Sequence, residues 1–268
     1  MSLAPGASAG VVPDCDLILK SLFGQVGTVV TSTSVTYTLE PTDIVYPSFS
    51  LWNFRSPSSV LQRAAIGCLA KTMRVSFGSD ILAAEFGGPC LWVLDNEQYA
   101  TIPDGDPGKG GMTTAGQPAW PVEPSPSYNG AAMTGFKGSI LVDSQTIAEF
   151  QSGEISLDTG VELRRAFGSD YSTIVGGGDR SVSVSFKVFD GDSTALKNLR
   201  AKAISKTAVD AVFTAGTVAG SRYEFTVRGI QLAVPGLSED GPYFAMQFSS
   251  SPASIAAATP NEVQVKIF

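Results

Sequence analysis

The chemistry open to this sequence is narrow, because its 268 residues contain no histidine. Histidine is the side chain whose ordinary pKa lies nearest neutrality. Without it, Ser/His/Asp and Cys/His nucleophilic arrangements and histidine-ligated zinc sites are excluded. Carboxylate chemistry remains, of the kind that a pair of acids performs on a glycosidic bond. The candidate acids are Asp43, Asp80, Glu85, Asp95, Glu97, Glu154, Asp158 and Glu162. They are scattered, and nothing in their spacing makes two of them converge. The expectation is a protein that is not an enzyme, with no catalytic, cofactor-binding or metal-binding residues.

Two glycine-rich stretches are the other places where chemistry could reside. Gly176-Gly177-Gly178 precedes Asp179-Arg180, with no Lys-Ser/Thr and no helix after it, so a phosphate cradle fails on context and a hairpin turn is expected. The run from Gly105 to Gly111 also lacks the strand before and helix after. Asp95, Asp104 and Asp106 nearby do not have the spacing of a calcium-binding loop. Three cysteines, Cys15, Cys68 and Cys90, stand far apart without a CxxC pair. That fits a reducing compartment and three small buried side chains rather than a disulfide framework.

Composition points to assembly rather than catalysis. Hydrophobic residues make up 43% and charged residues only 16% of the chain, with Gly, Ser, Thr and Ala in their place. Such a surface suits a strand-rich domain that packs against neighbours, and equally an ordinary β-rich domain of low charge. The net charge of −7 leaves no electrostatic footprint for gripping nucleic acid. An acidic protein lets phosphates pass with few cations to pair with. No basic segment followed by an apolar stretch opens the chain, and no apolar run reaches membrane-spanning length, so a cytosolic, non-membrane protein is expected.

The elements follow from periodicity. Residues 1–20 form a small-residue arm with little to bury, and residues 21–268 a β domain. Thr28 to Leu39 alternates as a half-buried strand. Met73 to Phe77, Ala83 to Phe86 and Leu91 to Leu94 read as further strands, as do Phe136 to Val142 and Phe150 to Leu157. Ser181 to Phe189 alternates most cleanly, with Val182, Val184, Phe186 and Val188 on one face. A single helix is expected at about 193–207, capped by Asp192 or Ser193, with an apolar stripe of Leu196, Leu199, Ala203 and Ile204 and a solvated basic face. Strands resume at Val209 to Phe213, Arg222 to Val227, Ile230 to Leu232, Tyr243 to Phe248 and Glu262 to Ile267. The fold class is therefore mostly β: an antiparallel β-sandwich or barrel with one flanking α-helix. Between the halves, residues 101–130 form a Pro/Gly-rich loop. Its Trp120 and Tyr128 would either dock on another surface or fold back on their own domain.

Several segments, taken in order, resemble the phage tail tube (major tail) protein family of long-tailed phages. Phe23-Gly24-Gln25-Val26-Gly27-Thr28 leads through a Thr/Ser stretch to Tyr46-Pro47-Ser48-Phe49-Ser50-Leu51. A Gly67-Cys68 step enters the strand around Met73-Arg74-Val75, and the segment from Gly178 to Asp190 precedes the helix. The chain ends on a polar-then-β run from Asn261 to Phe268. The likeness spans most of residues 20–268, with 101–130 standing apart from it.

The resemblance implies a structural subunit of the virion tail, assembled in the host cytoplasm. It implies rings, commonly of six subunits, in which sheets of neighbours join around a lumen and the rings stack into a conduit for DNA ejection. The partners so implied are further copies of the chain, the tape-measure protein and other tail proteins, with DNA passing unbound and no membrane. The absence of an internal repeat favours six-fold over three-fold rings. The arm and the 101–130 loop would lock one ring to the next, making Val11, Val12, Leu17, Ile18, Trp120 and Tyr128 the candidate inter-subunit contacts. A tail adaptor, baseplate or capsid-decoration protein is the alternative within the same class. A carbohydrate-binding β-sandwich would need exposed coplanar aromatics, and Trp52, Trp92 and Trp120 are the only tryptophans.

Overall fold

The computed structural model describes residues 8–24, 27–39, 46–54, 63–78, 82–95, 138–165, 167, 172–176, 179–217, 221–240, 242–250 and 262–268. In chain order the first half gives helix α1 (Asp16–Phe23), then β1 (Thr28–Val30), β2 (Ser34–Thr38), β3 (Phe49–Asn53), β4 (Arg63–Cys68), β5 (Thr72–Phe77), β6 (Ala83–Gly87) and β7 (Trp92–Asp95). The second half gives β8 (Ser139–Val142), β9 (Gln145–Thr146), β10 (Phe150–Asp158), β11 (Glu162–Arg165), β12 (Ser172–Gly176), β13 (Ser181–Phe189), helix α2 (Thr194–Ser205), β14 (Ala208–Ala215), β15 (Tyr223–Gln231), β16 (Gly236–Asp240), β17 (Tyr243–Ser249) and β18 (Val263–Ile267).

Two large antiparallel sheets face each other. One has seven strands in the order β1-β2-β18-β15-β14-β8-β9, the other six in the order β16-β17-β13-β10-β5-β6. Residues alternate along each strand, so one set from each sheet points into the space between. From the six-stranded sheet these are Met73, Val75, Phe77, Ile155, Val184, Phe186 and Phe248, and from the seven-stranded sheet Val35, Tyr37, Ile140, Phe213, Phe225 and Val265, all in one buried cluster. This is a sandwich, and it matches the expected mostly-β antiparallel class. A three-stranded sheet, β3-β4-β7, and a two-stranded ribbon, β11-β12, complete the described elements.

Several expectations need correction. The segment from Thr28 to Leu39 is a hairpin rather than one strand: Thr33 N–H bonds the Val30 carbonyl and Ser32 takes a left-handed φ of 56°, turning the chain between β1 and β2. Gly176 does not open a hairpin, because β12 pairs with β11 whereas β13 pairs with β10 and β17. There are two helices among the described residues, not one. The second, α1, falls across the boundary drawn at residue 20: Cys15, Leu19, Leu22 and Phe23 are in the core, and Tyr37 Oη donates to Asp16 Oδ1 at 2.6 Å. The chain from Cys15 is thus part of the folded body. Gly24 ends α1 in the left-handed region, with its N–H on the Lys20 carbonyl.

Helix α2 starts where expected. Ser193 accepts a hydrogen bond from the Leu196 N–H at 3.3 Å, a side-chain N-cap. Leu196, Leu199 and Ala203 are buried, but Ile204 is 67% exposed, so the apolar stripe is narrower than its sequence spacing suggests. The helix carries the chain from β13 in one sheet to β14 in the other, and Lys202 pairs with Asp143 in the β8–β9 turn.

Candidate assembly interface

The six-stranded sheet presents mostly polar side chains on the face turned away from the core. On the six-stranded sheet, pairing registers place Thr72, Asp158 and Ser181 in one row, Arg74, Ser156 and Ser183 in the next, and Ser76, Glu154, Ser185 and Ser249 in a third. Arg74 binds Glu154 at 2.5 Å and lies opposite Glu85 on β6. The hydrogen bond that Arg74 donates to Glu154, with the charge of that carboxylate, pushes the Arg74 pKa further up and keeps the guanidinium engaged. Two of the candidate acids, Glu85 and Glu154, thus flank one arginine on a flat sheet face. Asp158 Oδ1 accepts the Gly160 N–H at 2.8 Å, and Glu162 pairs with Arg164 on β11. Asp95 ends β7, and Asp43, Asp80 and Glu97 lie outside the described residues, as do Asp104 and Asp106. Among the described residues, no three His, Cys, Asp or Glu side chains gather as a metal site.

The end strands of a sheet turn backbone donors and acceptors outward, towards whatever lies beside them. The seven-stranded sheet ends on β1 and β9, which are three and two residues long. The six-stranded sheet ends on β6 and β16, each of five residues. Every pairing in that sheet is antiparallel, and six strands make its two edges run in opposite directions. The seven-stranded sheet, with an odd number, ends on edges that run the same way.

An apolar groove of about 460 Å³ lies beside β6, lined by Ile18 of α1, Phe49 and Leu51 of β3, Cys68 of β4, and Phe86 of β6, with Cys90 at its rim. Gly88 belongs to its wall, and a side chain there would meet the Leu69 carbonyl at 1.8 Å, so the chain passes this point only as glycine. At the opposite edge of the same sheet, Leu237 is 62% and Phe244 57% exposed. Sequence reasoning missed both, because the edge they occupy is defined by pairing and not by alternation.

The residues expected at inter-subunit contacts fall in three groups. Val11, Val12 and Leu17 are exposed, Leu17 to 65%. Ile18 packs partly against the core and lines the groove. Trp120 and Tyr128, with the whole 101–130 loop, lie outside the described residues. Trp92 is half-buried on β7, within the strand expected from Leu91 to Leu94. Cys15 and Cys68 are buried, and burial raises both thiols, Cys15 to about 11. Among the described residues, no helix is long and apolar enough to cross a membrane.

Among the described residues the chain is thus an antiparallel sandwich with a largely polar outer face on its six-stranded sheet and an apolar groove beside β6. The family model described as phage tail tube protein matches residues 4–265. The chain belongs to the phage tail tube protein family, and is a structural component of the virion tail that assembles with other tail components. No curated protein sequence matches it. Among solved structures it is similar to a chain in a cryo-EM structure of the anti-feeding prophage baseplate, at 8% identity and a TM-score of 0.35, covering 46% of this chain and 93% of that one. That likeness is too weak to carry an argument.

Proposed function

We propose that copies of this chain form rings, six to a ring, which stack into the tube through which DNA leaves the particle. The observation that supports the reading is the six-stranded sheet whose two end strands, among the described residues, run in opposite directions. Copies related by rotation about an axis can continue such a sheet antiparallel from one to the next. Ring closure of this kind pairs edge backbone groups across copies.

The outer face of that sheet would line the conduit. Its serines and threonines hydrogen-bond water, and its Arg74 is engaged by Glu154. With the net charge of −7, a passing phosphate backbone meets little to hold it. The role is geometric and not catalytic. Val11, Val12 and Leu17, exposed at the start of the folded body, would contact a neighbouring copy, as would Trp120 and Tyr128 of the 101–130 loop; the tape-measure protein would occupy the lumen before ejection. Assembly takes place in the host cytoplasm.

Quantitative mass spectrometry of purified particles tests the reading. A tube subunit is present at many times the copy number of a component that forms a single ring. A copy number equal to that of a single-ring component would make the chain an adaptor or baseplate protein instead.

A further inference from the structure

The geometry points to a redox site that the wide spacing of the cysteines conceals. Cys68, at the end of β4, and Cys90, just before β7, stand opposite each other and are placed to form a disulfide within the chain. The site goes beyond the ring reading and does not depend on it.

Register is the first support. β4 and β7 pair antiparallel, with Ala64 opposite Leu94, Ala65 opposite Val93 and Ile66 opposite Trp92. The same count continues past the end of that ladder. The Leu69 N–H bonds the Pro89 carbonyl at 3.0 Å, and the Lys71 N–H bonds the Gly87 carbonyl at 2.8 Å. Gly67 falls opposite Leu91: the Leu91 N–H reaches the Gly67 carbonyl at 3.3 Å, and a side chain on Gly67 would meet Leu91 Cβ at 2.8 Å. By this count Cys68 is opposite Cys90. Both neighbouring pairs, Gly67 with Leu91 and Leu69 with Pro89, are hydrogen-bonded, so the cysteines occupy the non-hydrogen-bonded position between them. Such positions bring Cα atoms to about 4.5 Å and side chains closest together. A disulfide spans Cα separations of about 4.4–6.8 Å. Residues directly opposite share a face, and both cysteines line the apolar groove.

The two thiols are free in this structure, and they differ in access. Cys68 is 5% exposed and donates its S–H to the Ala65 carbonyl at 3.3 Å. Cys90 is half-buried at the groove rim, where a small molecule reaches it. Burial first, and then the Cys90 thiol, push the Cys68 pKa up, so the sulfurs lie within electrostatic reach of each other.

That asymmetry orders the reaction with a small-molecule disulfide, RSSR, as oxidant. Cys90 loses its proton to water and attacks one sulfur of RSSR; a mixed disulfide forms as the S–S bond breaks, and RS⁻ leaves and takes up a proton. Cys68, deprotonated in turn, attacks Cys90 Sγ, and the second RS⁻ leaves and is protonated. Two protein thiols and RSSR thus give one protein disulfide and two RSH. Cys15 is buried in the core, where its thiol meets Tyr223, and stays out of the exchange. The bond closes the chain on itself around β5 and β6 and braces the groove between the two sheets. A reducing compartment keeps it open and an oxidising one closes it.

The full chain, purified reduced and moved into buffers of rising oxidised-to-reduced glutathione ratio, tests the site. Free thiols are alkylated in denaturant, and unreduced peptides are read by mass spectrometry. The expected product is a single link joining the Cys68 and Cys90 peptides, with Cys15 alkylated and a melting temperature above that of the reduced chain. The link should form at a ratio about ten-fold or more lower in the folded chain than in urea, because the fold holds the thiols together. Cys90→Ser should abolish the link and leave Cys68 alkylated. Three free thiols at every ratio, a glutathione adduct on Cys90 with Cys68 still free, or equal ratios in the folded and urea-unfolded chain would each overturn the site. All three outcomes leave the ring reading standing.

Discussion

Phe77 of β5 and Phe213 of β14 stack across the sandwich, ring centroids 4.8 Å apart and planes inclined by 26°. They belong to opposite sheets, and Phe225 of β15 meets Phe77 edge-on at 5.5 Å while Phe150 meets Phe213 at 6.2 Å. Gly153 makes room for this group, since a side chain there would meet the Phe213 and Phe150 rings at 3.0 and 3.1 Å. The cluster holds the six-stranded sheet in place against the seven-stranded one.

Truncating that cluster should loosen the sandwich as a whole. Phe213→Ala leaves a cavity between the sheets, and such substitutions cost about 3–5 kcal/mol. Urea unfolding of the monomer should show a midpoint lowered by that energy divided by the slope, with the slope itself unchanged. An unshifted midpoint would mean that the sheets are not held together here.

Helix α1 is tied down through Asp16, which accepts from Tyr37 at 2.6 Å and pairs with Lys20 at 2.5 Å. Tyr37→Phe removes the hydroxyl that ties this carboxylate to β2. The loss should be about 1.5–3 kcal/mol, as for hydrogen bonds to charged groups. Limited proteolysis should then cut faster near residues 8–24 than in the wild type.

Stability should fall on the alkaline side. Burial raises the Cys15 thiol from 9.0 to about 11 and lifts Tyr37 and Tyr223 well above the usual phenol range, with Asp16 adding at Tyr37 and Cys15 adding at Tyr223. In the folded chain these groups keep protons that the unfolded chain releases at lower pH. Their contribution is therefore complete below about pH 9 and is lost progressively as pH rises from there, by up to about 1.4 kcal/mol per pH unit for each group. Melting temperatures measured from pH 7 to 11 should be flat at first and then decline. Cys15→Ser, which removes one titrating group, should make the decline shallower.

The cap of α2 offers a smaller, local change. Ser193→Ala removes the acceptor for the Leu196 N–H and should cost about 1 kcal/mol. Thermal denaturation should register the loss, and replacement with Asp should restore it.

What the sequence revealed follows from which residues carry a periodic signal. β13 is legible because Val182, Val184, Phe186 and Val188 are buried while their neighbours are not, a period imposed by the pleat. α2 is legible through its cap and its spacing of Leu196, Leu199 and Ala203. α1 is hard to read because it is only eight residues long and no side chain caps its start, although Leu19, Leu22 and Phe23 sit at helical spacing. β16 reads Gly-Leu-Ser-Glu-Asp, which has neither alternation nor β-branched residues; its strand character comes from pairing with β17. The edges and the groove were therefore illegible for a physical reason: they are products of sheet order, which joins residues far apart in the chain.

The most direct test of the central claim is negative-stain electron microscopy of the purified chain at high concentration, alone and with a tail-initiation complex or tape-measure protein supplied. Stacked rings with a central channel are the predicted result. A strictly monomeric protein under all of these conditions would contradict the account.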